Sequence, residues 1–172
     1  RMQTPVVLIH RSIEGVNAPV IRLSSEAVGE KAGQMLIDAG HRRVGYMTNH
    51  RFDIAEGYAL GLSRALHAAG GELPEAFQLW GEHGRMTAEQ QDRALTEQGW
   101  QLDALLSQED RPTAIVTSFH PVAEMAYLVA TARGLRVPGD LSIVTVSPQD
   151  VEGPLARRIT AVTMDETAVA EQ

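Results

Sequence analysis

Residues 113–127 read TAIVTSFHPVAEMAY, and the change of rhythm inside this stretch decides the fold. A short β-branched run ends at Thr117 and a helical pattern begins near Val122, so a buried strand passes almost directly into a helix through Ser118-Phe119-His120-Pro121. A strand followed at once by a helix is the repeating unit of a parallel sheet, because parallel neighbours can be joined only by long crossovers.

The same unit recurs in both directions along the chain. Upstream, residues 44–47 (VGYM) read as a strand, followed by the amphipathic face Ile54, Tyr58, Leu62, Ala65, Leu66 and Ala69 before Gly70-Gly71. Before that strand, Ser24 and Ser25 offer hydroxyl caps to a helix with Val28, Ala32, Met35, Leu36 and Ala39 on one face and Gly40 as its stop. Residues 5–9 (PVVLI) and 20–23 (VIRL) are two further strand runs. Residues 76–80 form a strand of mixed composition, and residues 87–107 carry a long helical pattern with Gly99 as its weak point. Downstream come a helix over 121–133, strands over 141–146 and 159–163, and a helix starting at Asp165.

This order, β-β-α-β-α-β-α-β-α-β-β-α, predicts an α/β fold: an open parallel sheet with helices on both faces and right-handed crossovers. Residues 44–47, 113–117 and 141–146 are expected as its central strands, and the run at 5–9 as a poorly embedded one. In such sheets the ligand crevice lies beyond the carboxyl ends of the strands. That rule directs attention to residues 48–54, 81–85, 118–120 and 147–150.

Composition narrows the function. The chain has 172 residues, 44% of them hydrophobic, which suits a globular domain rather than a disordered one. With 15 Lys+Arg against 22 Asp+Glu the net charge is −7, the wrong sign for a surface that neutralises phosphates. No apolar run reaches the length of a membrane span and no signal-peptide pattern opens the chain, so a cytoplasmic protein is expected. The absence of cysteine removes thiol nucleophiles and cysteine zinc sites. No nucleophile elbow, phosphate-cradling glycine loop or metal-ligand set is present, so neither an enzyme nor a cofactor is expected. His120 and Glu124, one helical turn apart, lack a third ligand and define no metal site.

Two longer motifs carry a resemblance. Gly40-His41-Arg42-Arg43-Val44-Gly45 after an amphipathic helix, together with residues 134–144 (GLRVPGDLSIV), resembles the lactose-repressor (LacI/GalR) family of bacterial transcription regulators. Residues 5–11, Gly57-Tyr58 with Arg64-Ala65-Leu66, and residues 159–162 follow the same order and spacing. The resemblance implies one lobe of a periplasmic-binding-protein-like effector domain. Residues 1–19 would be the end of the first lobe and a crossover, 20–163 the second lobe, and 164–172 the start of a crossover helix. The DNA-binding headpiece and most of the first lobe would lie upstream of Arg1. A homodimer that contacts operator DNA only through that headpiece is implied, with Met125, Leu128 and Val129 as candidate dimer contacts.

The resemblance also places a small-molecule effector site, and there this sequence departs from the family. Where the family commonly has an Arg, an Asn-Asp pair and an Asp, this chain has Ile54, Phe119-His120 and Ser147. A sugar needs partners for its hydroxyls, and each buried polar group left unpaired costs about 1–3 kcal/mol. The expected effector therefore shows an apolar or aromatic face to Ile54 and Phe119, with Asn49, Ser118, His120 and Ser147 making polar contacts, and is amphipathic or acidic. Arg51 and Asp150 are candidate replacements for the missing cation and acid. Pro121 would leave the amides of Val122 to Glu124 as free donors. Two alternatives stand beside the regulator: a secreted periplasmic solute-binding lobe, and a dimerisation module whose effector site has decayed.

Overall fold

The computed structural model describes residues 5–9, 15–21, 24–83, 87–147 and 154–163. Contacts divide the chain into two units, residues 1–24 with 165–172, and residues 25–164. The helix expected from Asp165 lies outside the described residues.

In the first unit, strands β1 (Leu8–Ile9) and β2 (Val20–Ile21) pair in parallel, Leu8 opposite Val20 and Ile9 opposite Ile21. The strand expected over 5–9 is thus confined to its last two residues, with Val6 and Val7 exposed. Residues 20–21, placed by sequence at the head of the second lobe, fall in the first unit. A two-residue apolar run carries no information about its partner; pairing decides where it belongs.

The second unit begins with α1 (Ser25–Asp38), β3 (Val44–Arg51) and α2 (Asp53–Ala68). A 3₁₀ turn (Glu75–Phe77), β4 (Gln78–His83) and α3 (Ala88–Leu106) follow. The unit is completed by β5 (Ala114–Thr117), α4 (His120–Ala132), β6 (Ser142–Ser147) and β7 (Thr160–Thr163). Its sheet has the order β4-β3-β5-β6-β7, every pair parallel, so the three strands expected at the centre are the inner three. From β3 the chain goes first to β4 on one side and then to β5 on the other. The switch in direction lies between β3 and β5.

Alternation along the strands builds two cores. Val44, Tyr46, Ala114, Val116, Val144, Val146 and Val162 face a cluster with Leu36, Leu62 and Leu66 of α1 and α2. Met47, Ile115 and Ile143 face the opposite cluster with Leu102, Leu105, Leu106, Val122 and Ala126 of α3 and α4. Both faces of a parallel sheet are thereby covered.

The face of α1 differs from the expected one. Gly29, Ala32, Gly33 and Leu36 are its buried residues, whereas Met35 is at the surface. The reason is close approach to α2: a Cβ on Gly29 would stand 2.1 Å from the Tyr58 carbonyl oxygen, and one on Gly61 1.9 Å from that of Glu26. The two backbones touch where hydrophobic periodicity would have placed side chains. At the rim of this contact Arg64 pairs with Glu26. α3 starts on a capping box in which the Gln90 amide donates to Thr87 Oγ1 at 3.3 Å and the Thr87 amide to Gln90 Oε1 at 2.8 Å.

The two fold motifs have structural roles. Gly40 and Gly134 end α1 and α4 at φ 90° and 80°. Arg136 clasps Asp140 with Nε and Nη2 at 2.8 Å each, and its amide donates at 2.8 Å. These donors hold the Asp140 carboxyl well below the usual carboxylate range. His41 spans two strand entries, its Nδ1 2.9 Å from Thr113 Oγ1 and its Nε2 2.9 Å from Ser142 Oγ.

Candidate functional site

The crevice of an open parallel sheet forms where the strand order reverses. Here that is the shared carboxyl edge of β3 and β5, in register as Met47 opposite Thr117, with the Ser118 amide donating to the Met47 carbonyl at 3.0 Å. Five of the eight candidate residues, Asn49, Arg51, Ser118, Phe119 and His120, sit on these two exits.

The floor is a set of hydroxyls. Ser118 Oγ donates to Thr48 Oγ1 at 2.6 Å, and Thr48 Oγ1 donates to the His50 carbonyl at 2.6 Å. Tyr46 lies beneath, its hydroxyl donating to the Ala55 carbonyl at 2.8 Å. Burial pushes that phenol far up, a shift partly opposed by the neighbouring Ser118 hydroxyl. Gln98 reaches in from α3, its Nε2 donating to the Thr48 carbonyl at 2.6 Å, while its Oε1 is buried with no partner. Tyr46, Thr48 and Gln98 were not among the residues singled out from the sequence. Gln98 is fifty positions from Thr48 along the chain, and none of the three belongs to a quoted motif.

The rim is aromatic. Of three Phe in the chain, Phe77 is in the core, and Phe52 and Phe119 are 44% and 50% exposed. Both are N-cap residues, Phe52 of α2 and Phe119 of α4, with extended backbone and no side-chain cap bond. A helix start favours Ser, Thr, Asp or Asn, and an apolar residue there costs about 1 kcal/mol. The same local rule is broken on both sides of the switch point. Phe52 belongs to none of the quoted motifs, but an aromatic residue at a cap position is a signal the sequence does carry.

The apolar run places the end of this strand at Met47. Instead His50 and Arg51 extend β3, opposite Glu82 and His83 of β4, and Asp53 opens α2. The strand is longer than its apolar run because the edge partner continues the ladder. Arg51 lies over the Trp80 ring, its Cζ 4.9 Å from the centroid, and Nε donates to Glu56 Oε1 at 2.8 Å. Trp80 in turn leans on Tyr46, ring centroids 5.2 Å apart. Ile54 packs partly against the core shared by α1 and α2. Ser147 ends β6, and Asp150 lies outside the described residues.

The amides of Val122 and Ala123, expected as free donors, are both engaged. Both donate to the Phe119 carbonyl, at 3.2 and 3.3 Å, because α4 begins one residue before Pro121 and Phe119 accepts its first bonds. What stays open at this helix start is a side chain. His120 is 11% exposed, both ring nitrogens are buried without a hydrogen-bond partner, and Glu124 Oε1, equally unpartnered, is 3.6 Å from Nε2. Among the described residues no third acidic or histidine group joins them to hold a metal ion.

Residues 33–172 match the periplasmic binding protein-like domain. The chain belongs to that family, in its LacI/GalR form. This LacI/GalR domain is 31% identical over 145 residues to the ribose operon repressor of Haemophilus influenzae, covering 81% of the chain and 40% of that protein. It is 32% identical over 117 residues to the transcriptional repressor PurR of Shigella sonnei, covering 67% of the chain and 31% of the repressor. A solved regulatory protein of the LacI family from Chloroflexus aggregans superposes with a TM-score of 0.74 at 22% identity, over 96% of this chain and 56% of that one. The LacI/GalR domain thus spans less than half the length of these curated relatives. Among the described residues, no helix is long and apolar enough to cross a membrane.

On the three candidate dimer residues the LacI/GalR domain gives a mixed arrangement. Met125 and Val129 turn toward Gly99 of α3, where a Cβ would meet Met125 Sδ at 3.5 Å and Val129 Cγ2 at 3.8 Å. Leu128 projects outward at 59% exposure, and Trp100, next to Gly99, is 70% exposed.

Proposed function

We propose that this chain is the second effector-binding lobe of a cytoplasmic, dimeric LacI-type transcription regulator, and that the carboxyl edge of β3 and β5 is one jaw of its effector site. The jaw is assigned to Asn49, Arg51, Ser118, Phe119 and His120, with Ile54 behind them and Ser147 at the end of β6; Asp150, also assigned to it, lies outside the described residues. The observation that carries the reading is the pair of uncapped, aromatic helix starts on either side of the switch point. A decayed site would have no reason to hold two half-exposed Phe residues where capping chemistry favours small polar ones.

In this reading a second jaw and a DNA-binding headpiece are supplied by sequence upstream, and ligand closure of the two lobes sets the spacing of paired headpieces. Only a ligand with different affinity for open and closed forms can shift that balance. Operator DNA is contacted through the headpiece alone, consistent with the net charge of −7. The exposed Trp100 and Leu128 support α3 and α4 as part of the dimer contact.

The test is a thermal-shift and calorimetric screen of the protein with its upstream lobe, against sugars, nucleosides, and aromatic and acidic metabolites. Saturable binding that Ser118→Ala and His120→Ala weaken would support the assignment. A screen in which nothing binds would favour the dimerisation module with a decayed site.

A further inference from the structure

We infer that the crevice selects a planar aromatic carboxylate, with Phe52 and Phe119 flanking the ring system and Arg51 taking the acid. This rests on the effector-lobe reading and names the ligand class for that site.

Phe52 lies five residues beyond Met47 on β3, and Phe119 lies two beyond its register partner Thr117 on β5. Adjacent strands are about 4.8 Å apart and rise about 3.3 Å per residue, so the two Cα atoms are on the order of 10 Å apart at the same edge. That spacing suits two rings on either side of a flat ligand, since stacked aromatic groups sit roughly 4.5–7 Å apart between centroids. Neither Phe is needed for the core, because each is about half exposed. Both also occupy backbone positions where a polar cap is preferred.

The charge preference comes from Arg51. It is the permanently charged cation on the β3 and β5 exits among the described residues, and its Cζ lies over the Trp80 ring, 4.9 Å from the centroid. Glu56 occupies Nε, leaving Nη1 and Nη2 without a partner among the described residues. A guanidinium edge with two parallel donors matches a carboxylate. The remaining polar groups are short of partners rather than of charge. The His120 ring nitrogens are buried and Nε2 faces Glu124 Oε1 at 3.6 Å, so they add no further charge preference to the crevice.

Calorimetric titration of the protein with its upstream lobe would use four probes: 2-naphthoate, 2-naphthylmethanol, decahydro-2-naphthoate and D-ribose. The expected result is that 2-naphthoate binds about tenfold or more tightly than the uncharged alcohol and than the non-planar acid. Phe52→Ala and Phe119→Ala should each weaken naphthoate about tenfold. Arg51→Gln should bring naphthoate down to about the level of the alcohol. If an alanine variant does not fold, Phe52→Leu and Phe119→Leu keep the bulk and remove the flat face, and should show the same loss. Equal binding of the planar and saturated acids, or ribose binding indifferent to both Phe positions, would overturn the inference and leave the effector lobe standing. Binding of none of the four probes would overturn it as well. The broader screen then separates the two ideas: a hit there retains the effector lobe, and an empty screen removes both.

Discussion

The side-chain amide of Gln98 donates to the main-chain carbonyl of Thr48 at 2.6 Å, joining the middle of α3 to the exit of the central strand β3. Gln98 is almost fully buried, so this bond is shielded from solvent. Gln98→Ala should cost roughly 1–3 kcal/mol, the penalty for leaving a buried carbonyl unpaired. Urea denaturation of parent and variant checks this. A change within a few tenths of a kcal/mol would show that the Thr48 carbonyl finds another donor.

Two glycines on helices should respond with opposite sign to the same substitution. Gly61→Ala places a methyl 1.9 Å from the Glu26 carbonyl oxygen and forces α1 away from α2, a loss of about 1–3 kcal/mol or more. Gly99→Ala meets only ordinary contacts, the nearest being Met125 Sδ at 3.5 Å, and should gain up to about 1 kcal/mol of helix propensity. Thermal unfolding of the two variants, measured together, reads both signs.

His41 makes stability depend on pH in a defined direction. Burial lowers its pKa below the ordinary 6.5, so the unfolded chain binds the proton more readily than the folded one. Its contribution is present above pH 6.5 and is lost as pH falls through the lower, folded value. His41→Asn should reduce the slope of stability against pH below 6.5. Unchanged slopes in denaturation at pH 7.5 and 5.5 would assign the acid sensitivity to other groups.

The exposed pair on α3 and α4 should govern self-association. Leu128→Glu places a charge at a position already 59% exposed, so folding should survive while a dimer contact there would not. Multi-angle light scattering at several concentrations should show the parent as the larger species. A variant with the parent's mass would move the contact elsewhere.

The alternation of strand and helix was legible from residues such as those at 113–127 because local rhythm is enough to specify it. The face of α1 was not. Periodicity favoured Met35, whereas the backbone contact of Gly29 and Gly33 with α2 is a tertiary fact that no hydrophobic pattern contains. At the candidate site, counting from motifs reached Ile54, Phe119 and Ser147, since those positions are fixed by spacing. Phe52 lies within the span 48–54 but in no motif, and the role proposed for it depends on β3 and β5 being neighbours. Gln98 lay outside every span, since its bond to Thr48 joins positions fifty residues apart. The amides of α4 were misjudged by a single residue of helix start, because Pro121 marks the first turn without saying whether it is the first or second residue of it.

The sheet's switch point also has a kinetic consequence. Tyr46 on β3 pairs with Gln78 on β4, and Ala114 on β5 with Ser142 on β6, spans of 32 and 28 positions. The β3–β5 seam instead joins Tyr46 to Val116, 70 positions apart. Closing the longer chain loop carries the larger entropy loss, and distant pairings slow folding. Two locally assembled halves, β3 with β4 and β5 with β6 and β7, therefore meet along the one seam that ends in the crevice. A molecule held between Phe52 and Phe119 would bridge those halves, so occupancy should slow their separation and show first as protection of the Ser118 amide from hydrogen exchange.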